Sequence, residues 1–119
     1  MALFYVDWDV IGAGTTEADR SRNARTRALL TKSVQDRASN RFDGLGSTTL
    51  LWQADLAKPT AAKLKAEIEG AFNRGKEAGV AYDTYKLIVA RVYRNFVISG
   101  FSTAEQTKIE AVRAKQPLI

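Results

Sequence analysis

Hydrophobic and polar positions alternate at the start of the chain. Phe4, Val6, Trp8 and Val10 interleave with Tyr5, Asp7 and Asp9. A period of two is the mark of a β-strand with one strongly apolar face, here over residues 3–11. Gly12-Ala13-Gly14-Thr15-Thr16 then reads as a loop. From about Thr16 to Ala38 the spacing turns helical, with Leu30, Val34, Ala38, Ala24 and Ala28 in one apolar sector and Arg22, Arg25 and Lys32 opposite. Arg20 and Arg27 project toward the apolar side, so they must snorkel out or the helix must start late or bend.

Residues 39–47 carry turn chemistry, with a weak second strand near Arg41 and Phe42. Thr48 to Asp55 reads as a strand whose Leu50, Trp52 and Ala54 share a face. Lys58-Pro59-Thr60 opens the clearest helix, with Ala61, Leu64, Ile68, Ala71, Phe72 and Gly75 in one stripe and Gly75 and Gly79 closing it. Tyr85 to Phe101 is the richest β segment and too long for one average strand. A break at Arg94-Asn95 predicts two strands or a bent one. Ser102-Thr103-Ala104-Glu105 has the form of a capping box, so a last helix runs to about Lys115, with a thin stripe of Ile109 and Val112.

The order is βαββαβ with a tail. It predicts one α+β domain over residues 1–119: a ferredoxin-like sandwich, an antiparallel sheet with two helices on one face, plus an extra C-terminal strand and helix.

Charge changes the picture. Between Arg20 and Arg41 stand seven basic residues (Arg20, Arg22, Arg25, Arg27, Lys32, Arg37, Arg41) and one acid, Asp36, so this stretch alone accounts for the net +5 of the chain. A positive field so concentrated suits a polyanion, and six of the seven are Arg, whose planar fork matches phosphate oxygens in pairs. DNA or RNA is the partner this suggests. The alternatives are a solvated helix face, or contact with a membrane or an acidic protein surface.

Composition narrows the chemistry. The chain has no Cys and no His. Disulfides, thiolate sites, Cys nucleophiles and imidazole bases are therefore excluded. A metal would be a hard one, magnesium or manganese, held by oxygens. The shared face of Asp7 and Asp9 offers two such carboxylates, although a solvent-facing strand also needs polar residues there. Tyr93-Arg94-Asn95-Phe96 could stack bases, or simply pack. The Gly12-Ala13-Gly14 loop lacks the third glycine of a dinucleotide site. No apolar run is long enough to span a bilayer, and the first residues lack the pattern of a signal peptide, so an intracellular, cytoplasmic protein is expected.

One resemblance is carried by these residues. Trp8-Asp9-Val10 ends a first strand that leads into a basic helix. A later strand, Leu50-Leu51-Trp52-Gln53-Ala54-Asp55-Leu56, runs through an acidic turn into an amphipathic helix at Thr60-Ala61-Ala62-Lys63-Leu64. This layout, over roughly residues 3–100, resembles the small CRISPR spacer-acquisition nucleases and related toxin–antitoxin endoribonucleases. The resemblance implies a ferredoxin-like homodimer of antiviral-defence type, with Asp9 binding a divalent ion at the dimer interface of a nuclease. Asp7 and the longer segment before the middle strand depart from that pattern. The expected function is nucleic-acid binding through the Arg-rich first helix. The alternatives are an interaction or inhibitor protein docking an acidic partner, and a magnesium-dependent endonuclease using Asp9.

Overall fold

A computed structural model describes residues 1–12, 14–55 and 60–119. Seven elements follow in the order β1 (Ala2–Ile11), α1 (Glu17–Arg37), β2 (Arg41–Phe42), β3 (Thr49–Ala54), α2 (Ala61–Gly75), β4 (Thr84–Val92) and α3 (Thr103–Arg113). The four strands form one open sheet in the order β2-β3-β1-β4, and every neighbouring pair is antiparallel. The expected α+β class, with an antiparallel sheet, is present.

The sheet is apolar on both faces, and the two faces are covered differently. The alternation of β1 sends Phe4, Val6 and Trp8 to one side, where they meet Leu50, Trp52 and Ala54 of β3 and Leu87 of β4. The helices α1 and α2 close this side with Leu30, Val34, Leu64, Ile68 and Phe72. The Leu64–Ile68–Phe72 stripe thus packs where its spacing requires. Leu3 of β1 points the other way and joins Leu51, Phe42 and Val92 beneath Ile109 of α3. The thin stripe of α3 suffices because it covers only one end of that face.

Helix boundaries follow from local chemistry. The Thr16 hydroxyl accepts the Asp19 amide and the Asp19 carboxylate accepts the Thr16 amide, a reciprocal cap on α1. Thr60 caps α2 by accepting the Lys63 amide. Lys58 and Pro59, expected to open that helix, lie outside the described residues. Ser102 accepts the Glu105 amide at the start of α3. At the end of α2, a Cβ on Gly75 would come within 2.7 Å of Leu29 Cδ1, so a glycine there lets the two helices close up. Gly79, at φ 78°, then turns the chain toward β4.

Two expectations are corrected. The extra C-terminal strand does not form: β4 stops at Val92, and residues 93–100 lie outside any strand. The Phe96 amide turns back onto the Tyr93 carbonyl, and Gly100 takes φ 109°. The apolar residues of this stretch are used as packing instead, with Ile98 and Phe101 against the cluster under α3. The buried stripe of α1 is also rotated from its expected position. It runs through Thr26, Leu30, Ser33 and Val34, while Ala24 and Ala28 are exposed. At about 100° per residue those two alanines lie opposite Thr26. Two polar residues occupy the stripe because each is satisfied. Thr26 Oγ1 accepts the Asp83 amide at 2.8 Å, and Ser33 Oγ donates to the Leu29 carbonyl at 2.8 Å.

Candidate nucleic-acid interface

The seven basic residues between Arg20 and Arg41 do not form one open patch. Acids from elsewhere in the chain fold onto most of them. Arg22 is bound by Asp19 and, at 3.2 Å, by Asp83, and the Asp83 carboxylate holds its guanidinium more firmly protonated than usual. Arg27 pairs with Asp9 of β1 at 3.3 Å. Arg37 pairs with Glu67 of α2 at 2.5 Å, and its guanidinium lies 5.0 Å from the Trp52 ring centre. Arg41 binds Asp43 at 2.9 Å and donates to the Gln35 and Ala38 carbonyls at the end of α1. Arg20 donates to the Thr15 carbonyl.

Three members of the set have no fixed acid among the described residues: Arg20, which is exposed and donates only to a backbone carbonyl, Arg25 and Lys32. Arg25 is exposed and has no polar partner among the described residues. Lys32 pairs only with Asp36, one turn away at 2.5 Å, and both side chains are well over half exposed (71% and 64%). Such a pair is worth about 0–1 kcal/mol and exchanges readily for a stronger anion. Arg25 and Lys32 are seven residues apart, so they project from nearly the same side of α1, about 10 Å apart along its axis.

Between them and the end of α2 runs an open groove of about 460 Å³, lined by Arg25, Ala28, Leu29, Lys32, Gly75, Glu77 and Tyr82. Lys76 stands beside it, its Nζ 5.0 Å from the Phe72 ring centre and 6.0 Å from that of Tyr82. Tyr82 is fixed by its edge-on contact with Phe72 at 6.1 Å and by the Glu77 amide, which donates to its hydroxyl at 3.0 Å. The groove therefore combines two lining cations, and Lys76 beside it, with one carboxylate, Glu77, and with aromatic and aliphatic walls. Lys76 and Tyr82 lie outside the Arg-rich stretch. The only hint of them in the sequence is that the second helix must end near Gly75.

Asp7 and Asp9 share a face of β1, as alternation requires, but each is already neutralised. Asp7 accepts the Thr49 hydroxyl at 3.1 Å and pairs with Lys86 at 3.2 Å. Asp9 accepts the Val10 amide at 2.8 Å, which with Arg27 holds its carboxyl below the ordinary range. Among the described residues no group of three His, Cys, Asp or Glu comes together to hold a metal ion. Within one chain these two carboxylates, each facing a cation, do not fit a magnesium or manganese centre.

Tyr93 and Phe96 meet edge-on at 5.7 Å, with the Arg91 guanidinium 5.7 Å from the Tyr93 ring centre, so these rings are engaged with one another. Among the described residues no helix is long and apolar enough to cross a membrane. Searches against protein-family models, curated proteins and solved structures found no match to this chain.

Proposed function

We propose that this chain is a ferredoxin-like domain that binds DNA or RNA by its phosphate backbone, along the outer side of α1 and the groove at the end of α2. The strand order β2-β3-β1-β4, with α1 and α2 on one face, supports the fold assignment. The observation that carries the function is the set of three cations around the groove, Arg25, Lys32 and Lys76, none tied down by a buried acid. Arg22, Arg27 and Arg37 act in this reading as a supporting field, because each already faces a carboxylate, and Arg20 adds an exposed charge at the start of α1. The groove is open to solvent, which suits a backbone running across it better than an enclosed small molecule.

Salt dependence tests the proposal. Each phosphate contact releases counterions, so the logarithm of affinity falls with the logarithm of salt at about 0.9 per phosphate on duplex DNA. Replacing Arg25, Lys32 and Lys76 together by Ala should lower that slope by about 2–3. Arg22→Ala, whose partners are Asp19 and Asp83, should change it by less than about 1. An unchanged slope in the triple variant overturns the site. Binding to an acidic protein surface, with none to single- or double-stranded DNA or RNA, overturns the function.

A further inference from the structure

The exposed side of α1 carries its cations in two rows. At about 100° per residue, Arg20 and Arg27 lie within about 20° of each other around the helix, and so do Arg25 and Lys32. The rows stand about 140° apart, and between them α1 presents the exposed Ala24 and Ala28. With no bulk at those two positions, an open hollow of about 500 Å³ runs along the helix, bordered by Arg27 on one side and Lys32 on the other. Of the three arginines of α1 that face carboxylates, Arg27 is the most open. Its pair with Asp9 leaves the two side chains 51% and 45% exposed, so it exchanges readily for a phosphate.

From these two rows, and resting on the nucleic-acid reading above, we infer that α1 lies in the major groove of duplex DNA. Arg20 and Arg27 then meet the phosphates of one strand, and Arg25, Lys32 and Lys76 those of the other. An α-helix with its side chains is about 10–12 Å across, and the major groove of DNA is about 12 Å wide. A single strand offers one line of phosphates, which engages one row and leaves the other idle. Duplex RNA offers two lines, but its major groove is too narrow to admit a helix. The substrate class that uses both rows and the bare strip between them is therefore duplex DNA.

In this arrangement the strip between the rows faces the edges of the bases. The two alanines let the helix approach closely and offer apolar contact to thymine methyl groups. Gln35 lies on the same strip, and its carboxamide has no hydrogen-bond partner among the described residues. An amide so placed can bond adenine N6 and N7 together. Two acids lie near this face. Asp36 stays with Lys32 at its margin, and Glu17 stands in the first turn, ahead of both rows.

Binding to a DNA duplex of about two helical turns, to an RNA duplex of the same sequence and to each strand alone tests this. The DNA duplex should bind at least about tenfold more tightly than the others. Dimethyl sulfate footprinting should show protection of guanine N7, which lies in the major groove, and none of adenine N3, which lies in the minor. Ala24→Trp fills the strip at an exposed position and should weaken binding to the DNA duplex about tenfold, with an unchanged melting temperature. Replacing Arg20 and Arg27 together by Ala should lower the salt slope on the DNA duplex by about 1–2. Equal binding to the RNA duplex or to single strands, absence of N7 protection, or an Ala24→Trp variant that binds as the wild type does overturns this docking. Those results leave the nucleic-acid reading to its own salt test on Arg25, Lys32 and Lys76, whereas no binding to any of these nucleic acids overturns both.

Discussion

Phe72 packs α2 against two rings of the chain that follows it. It is 1% exposed and meets Tyr82 at 6.1 Å and Tyr85 at 4.6 Å between ring centres. Phe72→Ala should cost about 3–5 kcal/mol, the range for a buried aromatic whose site cannot collapse. Urea unfolding checks this, and a loss under about 1 kcal/mol would show that α2 does not cover the sheet as described. Tyr85 gives a pH signature. Burial first, and then its hydrogen bond to Glu69, push its hydroxyl from 10.0 up to about 12. A group whose pKa is raised on folding holds its proton more tightly in the folded state. Its contribution is therefore complete below pH 10.0 and lost as pH rises toward about 12. Stability should fall across that window, and Tyr85→Phe should flatten the fall. Ultraviolet titration of phenolate formation in both proteins measures it. At this scale the sequence was legible for apolar residues and misleading for charged ones. The periodicity of α2 identified Phe72 as core. Nothing in the order of letters says that Arg27 meets Asp9, or that Arg37 meets Glu67 on another helix.

Among the elements, α3 tests how far a thin apolar stripe can reach. Ile109 is its one fully buried residue, and it seals Leu3, Leu51 and Val92 on the sheet face opposite α1 and α2. Ile109→Ala should cost about 2–5 kcal/mol, as truncations of buried aliphatic residues do, and hydrogen exchange should speed first in α3. Unchanged exchange there would mean the helix is held by its cap alone. The two longer helices were legible because turn chemistry and helical spacing agree on their ends: Thr16 and Thr60 are both N-caps. The rotation of α1 was not. A polar residue in a helix stripe reads as solvent-facing, yet Thr26 and Ser33 are buried because a loop amide and a helix carbonyl satisfy their hydroxyls. The extra strand failed for a related reason. Residues 96–101 have β-type composition, but β composition reflects fitness for a half-buried surface, and packing under α3 supplies one without a strand.

For the whole molecule, the two apolar clusters share the strands β1, β3 and β4. β1 gives Phe4, Val6 and Trp8 to the cluster under α1 and α2 and Leu3 to the cluster under α3. Neither can open far without disturbing β1. Thermal unfolding should therefore be a single transition, with calorimetric and van't Hoff enthalpies equal, and Ile109→Ala should lower one melting point without splitting the peak. Two separate transitions would show that α3 unfolds independently. Apart from the extra C-terminal strand, the sequence by itself determined the elements, the face of the sheet under α1 and α2, and the inward face of α2, because these depend on periodicities of two and 3.6 residues that are written locally along the chain. It also determined the chemistry that is excluded, since a chain without His or Cys has neither imidazole nor thiolate to offer. Only the tertiary structure decided where the charge lies. Concentration of cations in sequence is a one-dimensional property, whereas electrostatic interaction falls with distance in space. Asp9, Asp19, Asp43, Glu67 and Asp83 all lie outside the Arg20–Arg41 stretch, and the fold brings each to one of its arginines. The field read from the sequence is thereby reduced to Arg20, Arg25 and Lys32, the last two joined at the groove by Lys76 from another element.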